Sequence, residues 1–208
     1  MKNILSRLFG GGEKKANALP ASEGPEKSKH PFMLQSTPEQ AKEHSEGMRE
    51  AFTHAIANSP YIKTSMRERV LAYMNGEVED LLKEGTLLTT EEKKSIGLSP
   101  RAKITRESLE LLTQDAIAAG HTPGQVLEVI RCDANREYYL KSSIHKMRNM
   151  GVKRYSVSHA NTGIECEWCR SLKNVEFDIS QDFFAIAEEN CKNSPRCVVT
   201  TKPILDWD

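Results

Sequence analysis

Four of the five cysteines fall in the last quarter of this 208-residue chain, as Cys166-x2-Cys169, a gap of 21 residues, and Cys191-x5-Cys197. No other feature constrains the fold as strongly. Two thiolates three positions apart on a tight turn can face one ion. A second pair, returned by a hairpin or a short helix, completes a tetrahedron. Four thiolates in a closed shell suit Zn²⁺, which makes Cys166, Cys169, Cys191 and Cys197 the candidate ligands. Four thiolates can also hold an iron–sulfur cluster, but nothing else in the chain suggests redox work. The segment after residue 151 is loop-rich and poor in large apolar side chains, so it needs a staple to fold. Structural Zn²⁺ binding is worth about 10 kcal/mol in small fingers. The ion is therefore expected to be structural rather than catalytic.

Upstream, apolar residues recur at helical spacing. Thr37-Pro38-Glu39-Gln40 reads as a helix start: a capping threonine, a proline at the first position and an acid at the positive end. Met48, Phe52, Ala55 and Ile56 continue that helix to Asn58-Ser59-Pro60. A second helix is expected from Thr64 or Ser65 through Val70, Tyr73, Val78 and Leu82, weakened at Gly76 and ended by Gly85. Thr89 to Lys94 reads as a short capped turn, and a third long helix is expected from Ile104 to Ala119, closed by Gly120. Thr122-Pro123 opens a fourth, which carries Val126, Ile130, Ala134, Tyr138, Ile144 and Met147 to Gly151. Cys132, the fifth cysteine, lies in that helix and reads as a small buried hydrophobe.

The pattern changes after Gly151. Val152 to His159 and Val175 to Ile179 alternate as strands do, and Cys197 to Thr201 makes a third, ended by Pro203. Ser180 is placed to cap a short helix through Phe183, Phe184, Ile186 and Ala187. The expected fold is mainly α, about four helices, followed by a small zinc-stabilised α+β segment. Its parts are a disordered arm over residues 1–35, a helical region over 36–150, and the metal-binding segment over 151–208, packed on the last helix.

The arm has little to bury. Residues 10–35 are rich in Gly, Lys, Glu, Ser, Ala and Pro, as flexible linkers are. Ahead of them, Ile4, Leu5, Leu8 and Phe9 share one side of a short amphipathic peptide, a weak candidate for partner binding. The apolar stretch there is too short for a signal peptide and is interrupted by Arg7. No run of about 18 apolar residues exists to span a membrane. A cytoplasmic setting, with reduced thiols, favours metal over disulfide.

The run Ile130 to Tyr139, the turn Gly151-Val152-Lys153-Arg154-Tyr155 into a strand, Cys166-x2-Cys169-Arg170-Ser171-Leu172, and the closing Pro195-Arg196-Cys197 together resemble the C-terminal part of the phage Mu F-like head-morphogenesis proteins. The resemblance covers roughly residues 125–205. Where that family closes with a histidine and two cysteines, this chain has Cys191 displaced upstream and Ser194 or Pro195 at one family cysteine position. The resemblance implies a minor virion or head-assembly component, or a prophage-derived relative. It implies portal-like or capsid-like partners, a location in the host cytoplasm or the virion, and no catalytic activity for this segment.

Two other function classes are weighed against this one. His159 and Asn161 near the cysteines, with His145 on the preceding helix, are the residue types of a zinc-knuckle nuclease. Lys141, Lys146, Arg148, Lys153 and Arg154 cluster about the end of the fourth helix and are candidates for nucleic-acid contact. Against a general electrostatic footprint, 29 basic residues balance 29 acidic ones. Basic side chains at a helix C-terminus also have a purely local reason to be there, the helix dipole.

Overall fold

Thr122 and Pro123 start the helix on which the rest is assembled. Gln125 donates its backbone N–H to Thr122 Oγ1, and its side chain accepts from the Thr122 N–H, a complete capping box. The computed structural model describes residues 37–159, 163, 165–173, 175–192 and 197–205. Ile4, Leu5, Leu8 and Phe9 and the linker lie outside the described residues. In chain order the elements are α1 (Pro38–Asn58), α2 (Arg67–Met74), α3 (Thr90–Ser95), α4 (Arg106–Leu109), α5 (Gln114–Ala118), α6 (Pro123–Asn149), β1 (Arg154–His159), α7 (Glu167–Ser171), β2 (Glu176–Asp178), α8 (Phe183–Asn190) and β3 (Val199–Ile204). The fold is mainly α, with a small α+β segment at the C-terminal end.

Helix α6 runs for 27 residues and serves two cores. Its first half buries Val126, Leu127, Ile130 and Ala134 against Phe52, Ile56, Val70, Leu81 and Leu111. Its second half buries Leu140, Ile144 and Met147 against the C-terminal segment. Helix α1 lies along α6. The crossing is close at Gly47, where a Cβ would sit 2.8 Å from the Tyr138 ring. There, His44 Nδ1 is 2.7 Å from Tyr138 Oη. As expected, Thr37 and Gln40 form a capping box, and the helix stops before Pro60.

The connection between α1 and α6 departs from the expected two long helices. The second helix ends at Met74 rather than near Leu82, because Gly76 takes a φ of +74°, which no helix interior allows. Leu81 is still buried, but from an irregular segment. The third helix is two short turns. Thr105 caps α4 and Thr113 caps α5, each accepting a backbone N–H three residues on. Between them the chain leaves the helix in a turn at Leu111 and pairs Leu112 with Ile62 in a single bridge, the Lys63 N–H donating to the Leu111 carbonyl at 3.0 Å and the Thr113 N–H to the Tyr61 carbonyl at 2.9 Å. Both leucines are fully buried, so pairing and burial win over helix propensity here. A small third core of Leu88, Leu98 and Ile104 sits beside α3, which Thr89 caps as expected.

After α6 the three strands form one antiparallel sheet in the order β2-β1-β3. Tyr155, Val157, Phe177 and Val199 are buried with Phe183, Phe184 and the end of α6. Phe177 stands edge-on to Phe183 at 5.1 Å and stacks on Tyr155 at 5.7 Å. Two local expectations are corrected. Asp182, not Ser180, caps α8; Ser180 is held in a turn by Asp178, whose carboxylate accepts from its N–H and its hydroxyl. Pro203 does not end the third strand but lies within it, opposite Tyr155. β3 is an edge strand, where a missing N–H is tolerated.

Candidate metal centre

The sequence brings the four thiols together through three short elements. Cys166 is the N-cap of α7, and its Sγ takes the place of a cap oxygen, 3.5 Å from the Cys169 N–H. Cys169 follows one turn later. Cys191 is the C-cap of α8, positioned by its N–H bond to the Ala187 carbonyl. Cys197 leads into β3, and its Sγ accepts the Cys166 N–H at 3.2 Å. All four sulfurs lie within 4.8 Å of one another. The Cys191 sulfur is 3.6 Å from that of Cys169 and 4.0 Å from that of Cys166.

These distances can be compared with a metal shell. Zn–S bonds of about 2.3 Å in a tetrahedron put neighbouring sulfurs about 3.8 Å apart. The two sulfur separations bracket that figure, and backbone N–H groups already point at Cys166 and Cys197 as they do around thiolate ligands. The group can therefore hold a metal ion. Cys169, Cys191 and Cys197 are buried and Cys166 is partly exposed, so the shell is closed on three sides.

The thiols titrate apart. Burial pushes Cys169 well above the ordinary thiol value, and the neighbouring thiols of Cys191 and Cys166 push the same way. Burial also raises Cys197. At Cys166 burial works upward too, but the N–H groups of Cys169 and Lys192 and the adjacent thiols outweigh it and bring the group to about 7. Without a cation the pocket favours no more than limited ionisation. A divalent ion reverses that balance by taking thiolates as ligands and expelling their protons.

The surroundings are those of a packed core. Trp168, partly buried, stacks on Phe183 with ring centroids 6.1 Å apart, packing over the knuckle. Glu165 is buried beside the cluster and accepts the Gly163 N–H at 2.9 Å. His145 is exposed on α6 with its Nε2 2.9 Å from the Asn149 amide one turn on. His159 closes β1 opposite Val199, and Asn161 lies outside the described residues. The basic residues near the end of α6 have structural engagements. Lys141 pairs with Glu137 and covers the Phe184 ring, Arg148 donates to the Ile179 carbonyl, and Arg154 pairs with Glu176. Lys146 and Lys153 are exposed. Cys132 is exposed rather than buried, because it lies off the stripe of Ile130, Ala134 and Glu137 that faces inward.

One polar feature was not anticipated from the sequence. Glu137 is buried at a core position of α6, 4% exposed, between the two hydrophobic clusters. Its carboxylate binds His54 Nδ1 at 2.8 Å and Lys141 Nζ at 2.6 Å. With Asn58, Tyr61, Ile130 and Phe184 the pair lines a cavity of about 220 Å³ between α1, α6 and α8. The available signal was phase: counting along α6 puts a glutamate where the stripe calls for an apolar side chain.

Comparison with protein-family models, with curated proteins and with solved structures finds no match to this chain.

Proposed function

We propose that this chain is a metal-stapled interaction protein in which Zn²⁺ holds the C-terminal segment in shape for contact with other proteins. The observation that carries the reading is the convergence of four thiols, three of them buried, on one point between α7, α8 and the start of β3. Cys166, Cys169, Cys191 and Cys197 would be the ligands, and the ion would supply cross-linking rather than chemistry, since four protein thiolates leave no open position for substrate. The resemblance of residues 125–205 to the Mu F-like head-morphogenesis proteins supports a more particular version, in which the partners are portal-like or capsid-like assembly components. Displaced Cys191 fits that version: its sulfur lies within reach of Cys166 and Cys169, so the shift in spacing leaves four donors.

The test has two arms. Metal analysis of the chain isolated without added metal should find one Zn²⁺ bound. Co-expression with a phage portal or major capsid protein should give a complex that survives size exclusion and is lost when the four cysteines are replaced by serine. No Zn²⁺, or a complex indifferent to the substitutions, argues against the corresponding half of the proposal. A nuclease reading has no comparable support, because the closely grouped ligand set among the described residues contains no histidine.

A further inference from the structure

The four thiols are not equivalent in access or in position. Cys169 and Cys197 are fully buried, Cys191 is 8% exposed, and Cys166 is the one with a partly open face. Cys166 starts α7 and Cys191 ends α8, so a bond between them would join two helix termini. Their sulfurs are already 4.0 Å apart. Cys197 holds the entry to β3, an edge strand whose other described anchors include the ladder to β1, the burial of Val199 and the Ser143–Thr201 hydroxyl contact of 2.7 Å.

We propose that the centre is also a peroxide-sensitive release switch, in which Cys166 is oxidised first and is resolved by Cys191, with loss of the ion. The inference rests on the metal-staple reading above and extends it to regulation of the same site. The Cys166 thiolate attacks one oxygen of hydrogen peroxide. An S–O bond forms, the O–O bond breaks, and hydroxide leaves to become water on protonation. The Cys191 thiolate then attacks the sulfenic sulfur. The S–S bond forms, the S–O bond breaks, and the second oxygen also leaves as water. Two thiolates are oxidised by two electrons and one peroxide is reduced to two waters. Cys169 and Cys197 remain, too few to retain a structural ion. The exposed face of Cys166 selects the first step, since oxidation follows access as well as thiolate character. The proximity of Cys191 selects the second. Loss of the ion frees the start of β3 and takes the staple out of the core that Cys169, Cys191 and Cys197 share with Tyr155, Phe177 and Phe183, the same outcome that chelation gives.

The experiment uses the full chain carrying Cys132→Ser, so that the exposed fifth thiol cannot contribute. Zinc-loaded protein receives hydrogen peroxide in steps. Released zinc is read with a chromophoric chelator, and disulfides are mapped by mass spectrometry of unreduced peptides. We expect zinc release to track formation of a Cys166–Cys191 disulfide, with recovery on adding a dithiol reductant and zinc. Cys166→His keeps a metal donor but removes the oxidisable sulfur, and should release zinc about tenfold more slowly. Zinc retained through the titration, release without that disulfide, or Cys166→His releasing at the parental rate overturns the switch and leaves the staple intact. A reduced chain that takes up no zinc overturns the staple itself, and the switch with it.

Discussion

Replacing Glu137 with leucine should cost less stability than removing the histidine it binds. Glu137 is 4% exposed, while its partners are 39% exposed at His54 and 48% at Lys141. His54→Ala leaves one oxygen of a buried carboxylate without its donor, which costs about 1–3 kcal/mol. For a domain of this size that is a fall in melting temperature of roughly 2–12 °C. Lys141 then faces the carboxylate alone across a partly wet surface, where its attraction is weakened by solvent. Glu137→Leu removes the carboxylate altogether. His54 and Lys141 are exposed enough to be hydrated, and leucine continues the stripe of Ile130, Ala134, Leu140 and Ile144. The expected change is within about 1 kcal/mol, in either direction, as for buried ionic groups replaced by apolar ones of similar size. In the Glu137→Leu background, His54→Ala should then be nearly silent, a coupling readable in a four-variant urea series. A Glu137→Leu variant losing more stability than His54→Ala would refute the reasoning.

Other consequences are local. Gly85 has a φ of +96°, and a Cβ there would meet the Glu107 carboxylate, whose Oε2 accepts the Thr86 N–H at 2.8 Å. Gly85→Ala should therefore cost about 1–3 kcal/mol in a urea melt, more than Gly120→Ala, where the φ is also positive but the space is open. Thr122→Ala removes the cap of α6 and should cost about 1 kcal/mol by the same assay.

The two long packed helices were legible because their ends carry chemistry as well as pattern. Thr37-Pro38 and Thr122-Pro123 state where α1 and α6 begin, and their buried stripes repeat at 3.6 residues. The four cysteines were legible because spacing in the chain translated directly into convergence in space. The region between the helices was less so. Val78, Leu81 and Leu82 fit a helical period, but Gly76 had already ended the helix, and periodicity cannot tell a buried loop from a buried turn. Leu109, Leu112 and Ile117 likewise suggested continuity, whereas Thr113 was a cap inside the apparent helix. Cys132 and Glu137 run against their residue types, because helix phase decides which side chain of α6 faces in.

The central claim is that a metal ion at Cys166, Cys169, Cys191 and Cys197 holds the C-terminal segment together. Native mass spectrometry of the reduced chain, followed by thermal melts and limited proteolysis with and without a strong chelator, tests it most directly. We predict a mass increment of one zinc per chain. Chelation should remove that increment, lower the melting temperature, and make residues 152–205 sensitive to protease. A chain of bare polypeptide mass even after incubation with zinc, with melting and proteolysis unchanged by the chelator, would contradict the claim.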